Sequence, residues 1–181
     1  MARLIQELIH KLKSVQDNLD LILMDSASVM AHDAKGLAER IIKEKGFGAS
    51  YSTKTYPAFF FYGKQLNAKG SAYLETIQDD PESEGTNWGL FRKAQGLQNS
   101  HVDLAYTTRM WKGMRPDEPQ KEGSRYFCYM GHNDQEGQKK MNWNYERYGD
   151  FLGKALEGQE EILREVAEEN IRNLIEETLM K

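Results

Sequence analysis

Apolar side chains recur along the start of the chain at Leu4, Leu8, Leu12, Val15, Leu19 and Ile22, then at Val29, Leu37 and Ile41, in steps of three and four. That is the period by which an α-helix brings side chains onto one face, so residues 3–45 are predicted helical. Asp17-Asn18-Leu19-Asp20 supplies polar residues able to interrupt the run and cap a second helix. Gly46 and Gly48 end the pattern, with Lys43 and Lys45 close to the last carbonyls, where cations are favoured. A one-sided stripe this long requires a surface to pack on, in the rest of the fold or in a neighbouring subunit. The period returns at the other end, where Leu163, Ala167, Ile171, Leu174 and Thr178 form a stripe flanked by Ile162, Val166 and Ile175. A terminal helix from about Gln159 to Met180 is predicted, with glutamates on its remaining surface.

Between these helices the pattern changes. Residues 46–85 are rich in Gly, Ser, Tyr and Phe, with turn signals at Pro57, Gly63, Asn67 and Gly70. They predict an irregular aromatic arm with one short strand at Ala58–Tyr62, followed by an exposed loop from Asp79 to Gly85. Residues 86–97 suit a short helix carrying Trp88 and Phe91, and residues 101–107 alternate Val102, Leu104 and Tyr106 with outward residues, as a half-buried strand does. Residues 125–131 predict a stronger, aromatic strand. The stretch between, with Pro116, Pro119 and Gly123, reads as a loop, and 138–148 as a short helix. The expected fold is α+β, with long N- and C-terminal helices packed on a small antiparallel sheet. The 181 residues fit a single domain, 1–181, in which 46–85 is an extended arm or insertion.

Composition sharpens this picture. Hydrophobic residues make up 39% and charged residues 29%, a polar balance that points to apolar surface covered by a partner. The formal net charge of −4 is unevenly placed. Residues 1–45 carry seven basic and seven acidic side chains, whereas 160–181 carry three and seven. No basic stripe of the kind duplex-binding proteins use is present. Cys128 is the single cysteine, so no intrachain disulfide forms, and a buried structural thiol is expected. Met1-Ala2-Arg3 leads into an amphipathic pattern rather than an apolar signal core, and no run approaches the ~18 apolar residues of a membrane span. The expectation is a soluble chain made in the cytoplasm, without membrane contact.

Catalytic signatures are weak. His101/Asp103, His132/Asp134 and His32-Asp33 offer metal-ligand types, but nothing in their spacing brings three or four together. The segment from Glu44 to Thr55 is Gly-rich yet lacks the phosphate-loop spacing and follows a helix rather than a strand. No nucleophile elbow occurs, and Cys128 sits inside a strand pattern. No catalytic residue, cofactor site or metal site is therefore expected, and the chain does not read as an enzyme. The segment 51–62, with Lys54 and Lys64 near its aromatics, is the one feature suited to stacking single-stranded bases; its plainer use is for Phe59, Phe60, Phe61 and Tyr62 to plug a core or a subunit groove. Trp111, beside Lys112 and Arg115, has the make-up of a contact hot spot or of a core residue with exposed neighbours.

Three segments together carry a resemblance. "HVDLAYTTRMWKGM" is similar to a Leu-x-x-Thr-Gly-x-Met stretch, matched at Leu104, Thr107 and Met110, with Thr108 in place of the usual Gly. "RYGDFLGKALEGQEEILREV" resembles a Phe-Leu-Gly knot leading into a terminal helix, carried by Phe151, Leu152 and Gly153. Upstream, a long helix ending in a Gly turn precedes Tyr51-Ser52-Thr53 in similar order. In these features the chain, from about residue 20 to 180, resembles the phage virion morphogenesis and tail-completion proteins, which sit between the capsid portal and the tail tube. The resemblance implies an α+β fold and no catalytic residues. It implies a structural virion protein forming a homo-oligomeric ring at the head–tail junction or tail terminus: a neck, connector, tail-terminator or minor tail protein. The implied partners are further copies of the chain, a connector or portal on one side and a tail tube or terminator on the other, with DNA only passing through a lumen. Gly149 and Gly153 are expected to let the backbone turn sharply on both sides of Phe151-Leu152, which then anchor the terminal helix. The expected subunit contacts are Phe59, Phe60, Phe61, Tyr62, Trp111, Leu163, Ile171 and Leu174. The alternative from another class is a single-stranded nucleic-acid-binding module using 51–62.

Overall fold

The computed structural model describes residues 2–62, 64, 66–104 and 109–180. The chain divides into two compact units, one formed by 1–41 together with 106–181, the other by 42–105. The fold is helix-rich α+β as expected. Residues 46–85 belong to the second unit and contain a helix of their own.

In the first unit, helices α1 (Ala2–Asp17) and α2 (Leu19–Lys45) meet at Asn18. Backbone bonds pass through that junction, with Asn18 N donating to the Ser14 carbonyl and Ile22 N to the Asn18 carbonyl. The Asn18 side chain also donates backward to Ser14 O at 2.8 Å, so it closes α1 rather than capping α2. The later part of this unit runs α5 (Arg109–Gly113), β1 (Met114–Pro116), β2 (Gln120–Glu122), β3 (Arg125–Phe127), β4 (Met130–His132), α6 (Gln135–Tyr148), α7 (Phe151–Leu156) and α8 (Glu160–Met180). The strands pair antiparallel as β1 with β4 and β2 with β3, the second pair turning through Gly123 at φ 61°. The stretch expected as a loop therefore holds α5 and two strands, and the strand expected over 125–131 is split at Cys128-Tyr129. Its aromatic content marked the sheet; Pro116 and Pro119, which cannot donate to a ladder, hid the partners. Ile22, Ala38, Met110, Trp111, Met114, Met141, Phe151, Leu152 and Ala155 are buried here.

The second unit contains a 3-10 turn (Ala58–Phe61), α3 (Ala68–Gln78) and α4 (Trp88–Ala94). An isolated antiparallel bridge joins Tyr56 to Thr86 through bonds of 2.8 and 2.9 Å. Gly85, at φ 87°, makes that approach possible: a Cβ there would lie 2.2 Å from the Tyr56 carbonyl oxygen. Phe47, Ala58, Phe61, Leu74, Phe91 and Val102 are buried in this unit. The strand expected at 58–62 is the 3-10 turn, whose three-residue period puts Ala58 and Phe61 on the same, inner side. Of the strand expected at 101–107, residues 101–104 belong to no strand, and 105–107 lie outside the described residues.

Candidate functional site

Phe151 and Leu152 are buried, as an anchor requires. Phe151 packs against Tyr145 of α6 with ring centroids 4.7 Å apart, and meets Trp111 edge-on at 6.3 Å. Gly149 turns the chain at φ 69° after α6, as expected. Gly153 does otherwise: it sits inside α7, where its N–H donates at 2.9 Å to the carboxylate of Asp150, the N-cap. Its use is steric, since a Cβ there would lie 2.2 Å from Asp150 Oδ2. From this anchor α8 departs, and none of its 21 residues is buried. Leu163, Ile171 and Leu174 are partly exposed.

The residues of the first motif are divided between the two units. Met110 is buried in the first unit and accepts a contact from Asn144 Nδ2 at 3.2 Å through its sulfur. Leu104 belongs to the second unit, with φ 49°, a conformation that a leucine rarely adopts. Thr107 lies outside the described residues. Trp111, expected as a subunit contact, is a core residue; its indole Nε1 has no hydrogen-bond partner among the described residues.

The aromatic segment is sorted by the 3-10 turn. Phe61 is buried between Phe91, at 4.6 Å, and Trp88, at 5.1 Å, which removes it from the expected contact surface. Phe59 is 74% exposed, with Phe60 and Tyr62 also open to solvent. Phe60 stacks on Tyr56 at 4.5 Å, while Lys54 lies over Tyr56 and Lys64 over Phe60 at 5.4 and 5.2 Å. Tyr62 donates its hydroxyl to Gln78 Oε1 at 2.6 Å.

A cleft of about 310 Å³ lies in the second unit, lined by residues that include Tyr51, Ser52, Asn87 and Ser100. Behind Tyr51 is a buried ion pair that no sequence spacing announced. Arg92 donates to Asp103 Oδ2 at 2.5 Å and to the Gln98 carbonyl at 2.9 Å, and its guanidinium lies 5.5 Å from the centre of the Tyr51 ring. Tyr51 donates to the other Asp103 oxygen at 3.3 Å. Burial pushes the Tyr51 phenol up to about 12, so at neutral pH it is a hydrogen-bond donor and not a base. These groups satisfy one another, an arrangement that stiffens a scaffold. Arg92 and Asp103 are 11 positions apart and Tyr51 is 52 from Asp103, separations at which no local pattern links the set.

The remaining titratable candidates are separate. His101 reaches the Lys43 carbonyl, while His132 contacts Asp134. Among the described residues no group of three His, Cys, Asp or Glu side chains is arranged to hold a metal ion. Cys128 is half-buried beside the sheet, donating to the Asp117 carbonyl at 3.0 Å; burial, then the Asp117 charge, raise its thiol above the ordinary range. No described helix is long and apolar enough to cross a membrane. The structure thus defines a two-unit α+β protein whose most developed feature is an anchored, exposed terminal helix. Comparison with family models, with curated proteins and with solved structures finds no match.

Proposed function

We propose that this chain is a structural subunit of a tailed-phage virion, working by assembly into an oligomeric ring at the head–tail junction or tail terminus. The observation that carries the reading is the anchored helix: Phe151 is fully buried, yet α8, which follows it, contains no buried residue. A helix with a fixed root and an open surface provides neighbouring subunits with a reproducible face. The resemblance at Leu104, Thr107, Met110 and Phe151-Leu152-Gly153 supplies the virion context. Glu165, Glu168 and Glu169 are exposed, and such a face lining a lumen would keep passing DNA from adhering.

Light scattering across a concentration series tests this reading, with Phe151→Leu and Phe151→Ala alongside and helix content followed by circular dichroism. The expected wild-type mass is a fixed multiple of 20.9 kDa, lost in the variants while helicity remains. A wild type that stays at the mass of one chain at every concentration contradicts autonomous ring formation.

A second reading, single-stranded nucleic-acid binding, rests on Phe59 and the Tyr56–Phe60 stack flanked by Lys54 and Lys64. It requires oligonucleotide affinity that falls with salt and is lost in Phe59→Ala.

A further inference from the structure

Three segments of the second unit wall its cleft: residues 50–53, the start of α4 from Asn87 to Leu90, and Asn99-Ser100. One buried side chain ties all three together. Arg92, on α4, donates to the Gln98 carbonyl beside the third segment and to Asp103, and its guanidinium lies over the Tyr51 ring of the first. Tyr51 donates to the same Asp103, and Val102 N donates to the Ala49 carbonyl at 3.2 Å, joining the first and third segments again. The walls are therefore held in one arrangement, as in ligand sites that are largely pre-formed. At about 310 Å³ the cleft stands at the lower end of the size of such sites, about 300–1,000 Å³.

Its lining is unlike that of an apolar pocket. Hydroxyl and amide side chains predominate, and no charged residue is among them. The side chains of Ser50, Thr53 and Asn99 make no hydrogen bond with the described residues. Ser52 and Asn87 use only their oxygens, accepting from Lys54 N and Leu90 N, and keep their own donors free. We propose that this cleft binds a neutral, hydroxyl-rich ligand, a saccharide. Hydroxyl and amide groups both donate and accept, and a sugar hydroxyl does the same, so each set satisfies the other in either sense. Leu90, 47% exposed, and the half-buried Tyr51 ring add an apolar patch that suits the C–H face of a sugar ring. Without a cation in the lining, a phosphate or carboxylate would lose its hydration and gain no partner. A wholly apolar ligand would strand the same hydroxyls and amides. The inference goes beyond the assembly reading and stands independently of it.

Saturation-transfer NMR tests this on the full chain, because it observes the ligand and tolerates any assembly size. The probes are glucose, galactose, mannose and N-acetylglucosamine, with glucose 6-phosphate as the charged comparison. Transfer to at least one neutral sugar is expected, with an affinity that falls about tenfold or more in Ser50→Ala with Asn99→Ala, two side chains whose loss breaks no bond within the chain. Circular dichroism should show the helix content of that variant unchanged. Phe59→Ala, on the aromatic surface, should leave sugar binding as it is. The proposal is overturned if none of the four sugars receives saturation, or if binding survives the double variant and is lost in Phe59→Ala. Glucose 6-phosphate binding more tightly than glucose would likewise overturn it, since that requires a cation the cleft does not contain.

Discussion

His132 shows how closely single residues constrain this fold. Its ring is buried between two glycines: a Cβ on Gly137 would fall 1.8 Å from Cε1, and one on Gly113 would fall 2.1 Å from the same atom. Neither glycine has a positive φ, so each is required for the space it leaves. Gly137→Ala is expected to destabilise the protein by about 1–3 kcal/mol, the usual cost of overpacking. Gly36, in the middle of α2, has nothing within 4 Å of where its Cβ would stand. Gly36→Ala should therefore stabilise by about 0.5–1 kcal/mol through helix propensity alone. Urea denaturation of the two variants checks both directions; equal shifts of one sign would refute the steric account. The same contrast of environments separates the ion pairs. Arg92 and Asp103 are both buried, so Asp103→Ala leaves an uncompensated guanidinium and should cost about 3–5 kcal/mol. Asp20 and Lys121 are well exposed, and removing either should change the midpoint much less.

At the scale of elements, α3 formed where its cap and its buried face agreed, whatever its intrinsic propensity. Helix α3 contains Gly70, Ser71 and Thr76 and looked irregular as sequence. It forms because the Asn67 side chain accepts from Gly70 N at 2.9 Å and donates to the Gln95 carbonyl at 2.8 Å, while Leu74 is buried. Long periodic stretches were legible for the opposite reason: α1, α2 and α8 carry their pattern over many turns, so local exceptions hardly blur it. Short strands are not legible this way. Gln120-Lys121-Glu122 is wholly exposed and has no alternation; its pairing comes from β3. The anchor could be read from Phe151-Leu152, but the position of Gly153 within a capped turn could not, since it depends on where Asp150 stands. That placement has a consequence. Asp150→Ala should cost about 0.5–2 kcal/mol as a lost N-cap. Gly153→Ala should cost a similar amount by displacing the same carboxylate, and combining them should cost less than the sum. Strict additivity in that double-mutant cycle would argue against a shared cap.

For the whole molecule, the uneven charge and the exposed apolar rows were visible in the sequence, and both concern surface. The division into two units was not, because α2 runs unbroken past the boundary after Ile41. Interior polar chemistry was equally hidden, since it depends on which distant residues folding brings together. Its clearest signature in solution lies at alkaline pH. Burial raises the phenols of Tyr145 and Tyr148 in the first unit above the ordinary range, and in the second unit it pushes that of Tyr51 up to about 12. Above the unfolded value the denatured chain releases the phenolic proton while the native chain keeps it. The unfolded state then binds fewer protons, and stability must fall as pH rises. The contribution is complete below pH 10 and disappears as pH climbs through the native values, near 12 for Tyr51. Phenolate absorbance should accordingly show a late ionisation of Tyr51, Tyr145 and Tyr148 that coincides with loss of helical circular dichroism. Tyr51→Phe should remove the late titration of that residue and flatten the alkaline decline contributed by the second unit. If Tyr51 instead ionises at its ordinary value of 10.0 while the helices persist, then it is in contact with solvent, and the scaffold it forms with Arg92 and Asp103 is open.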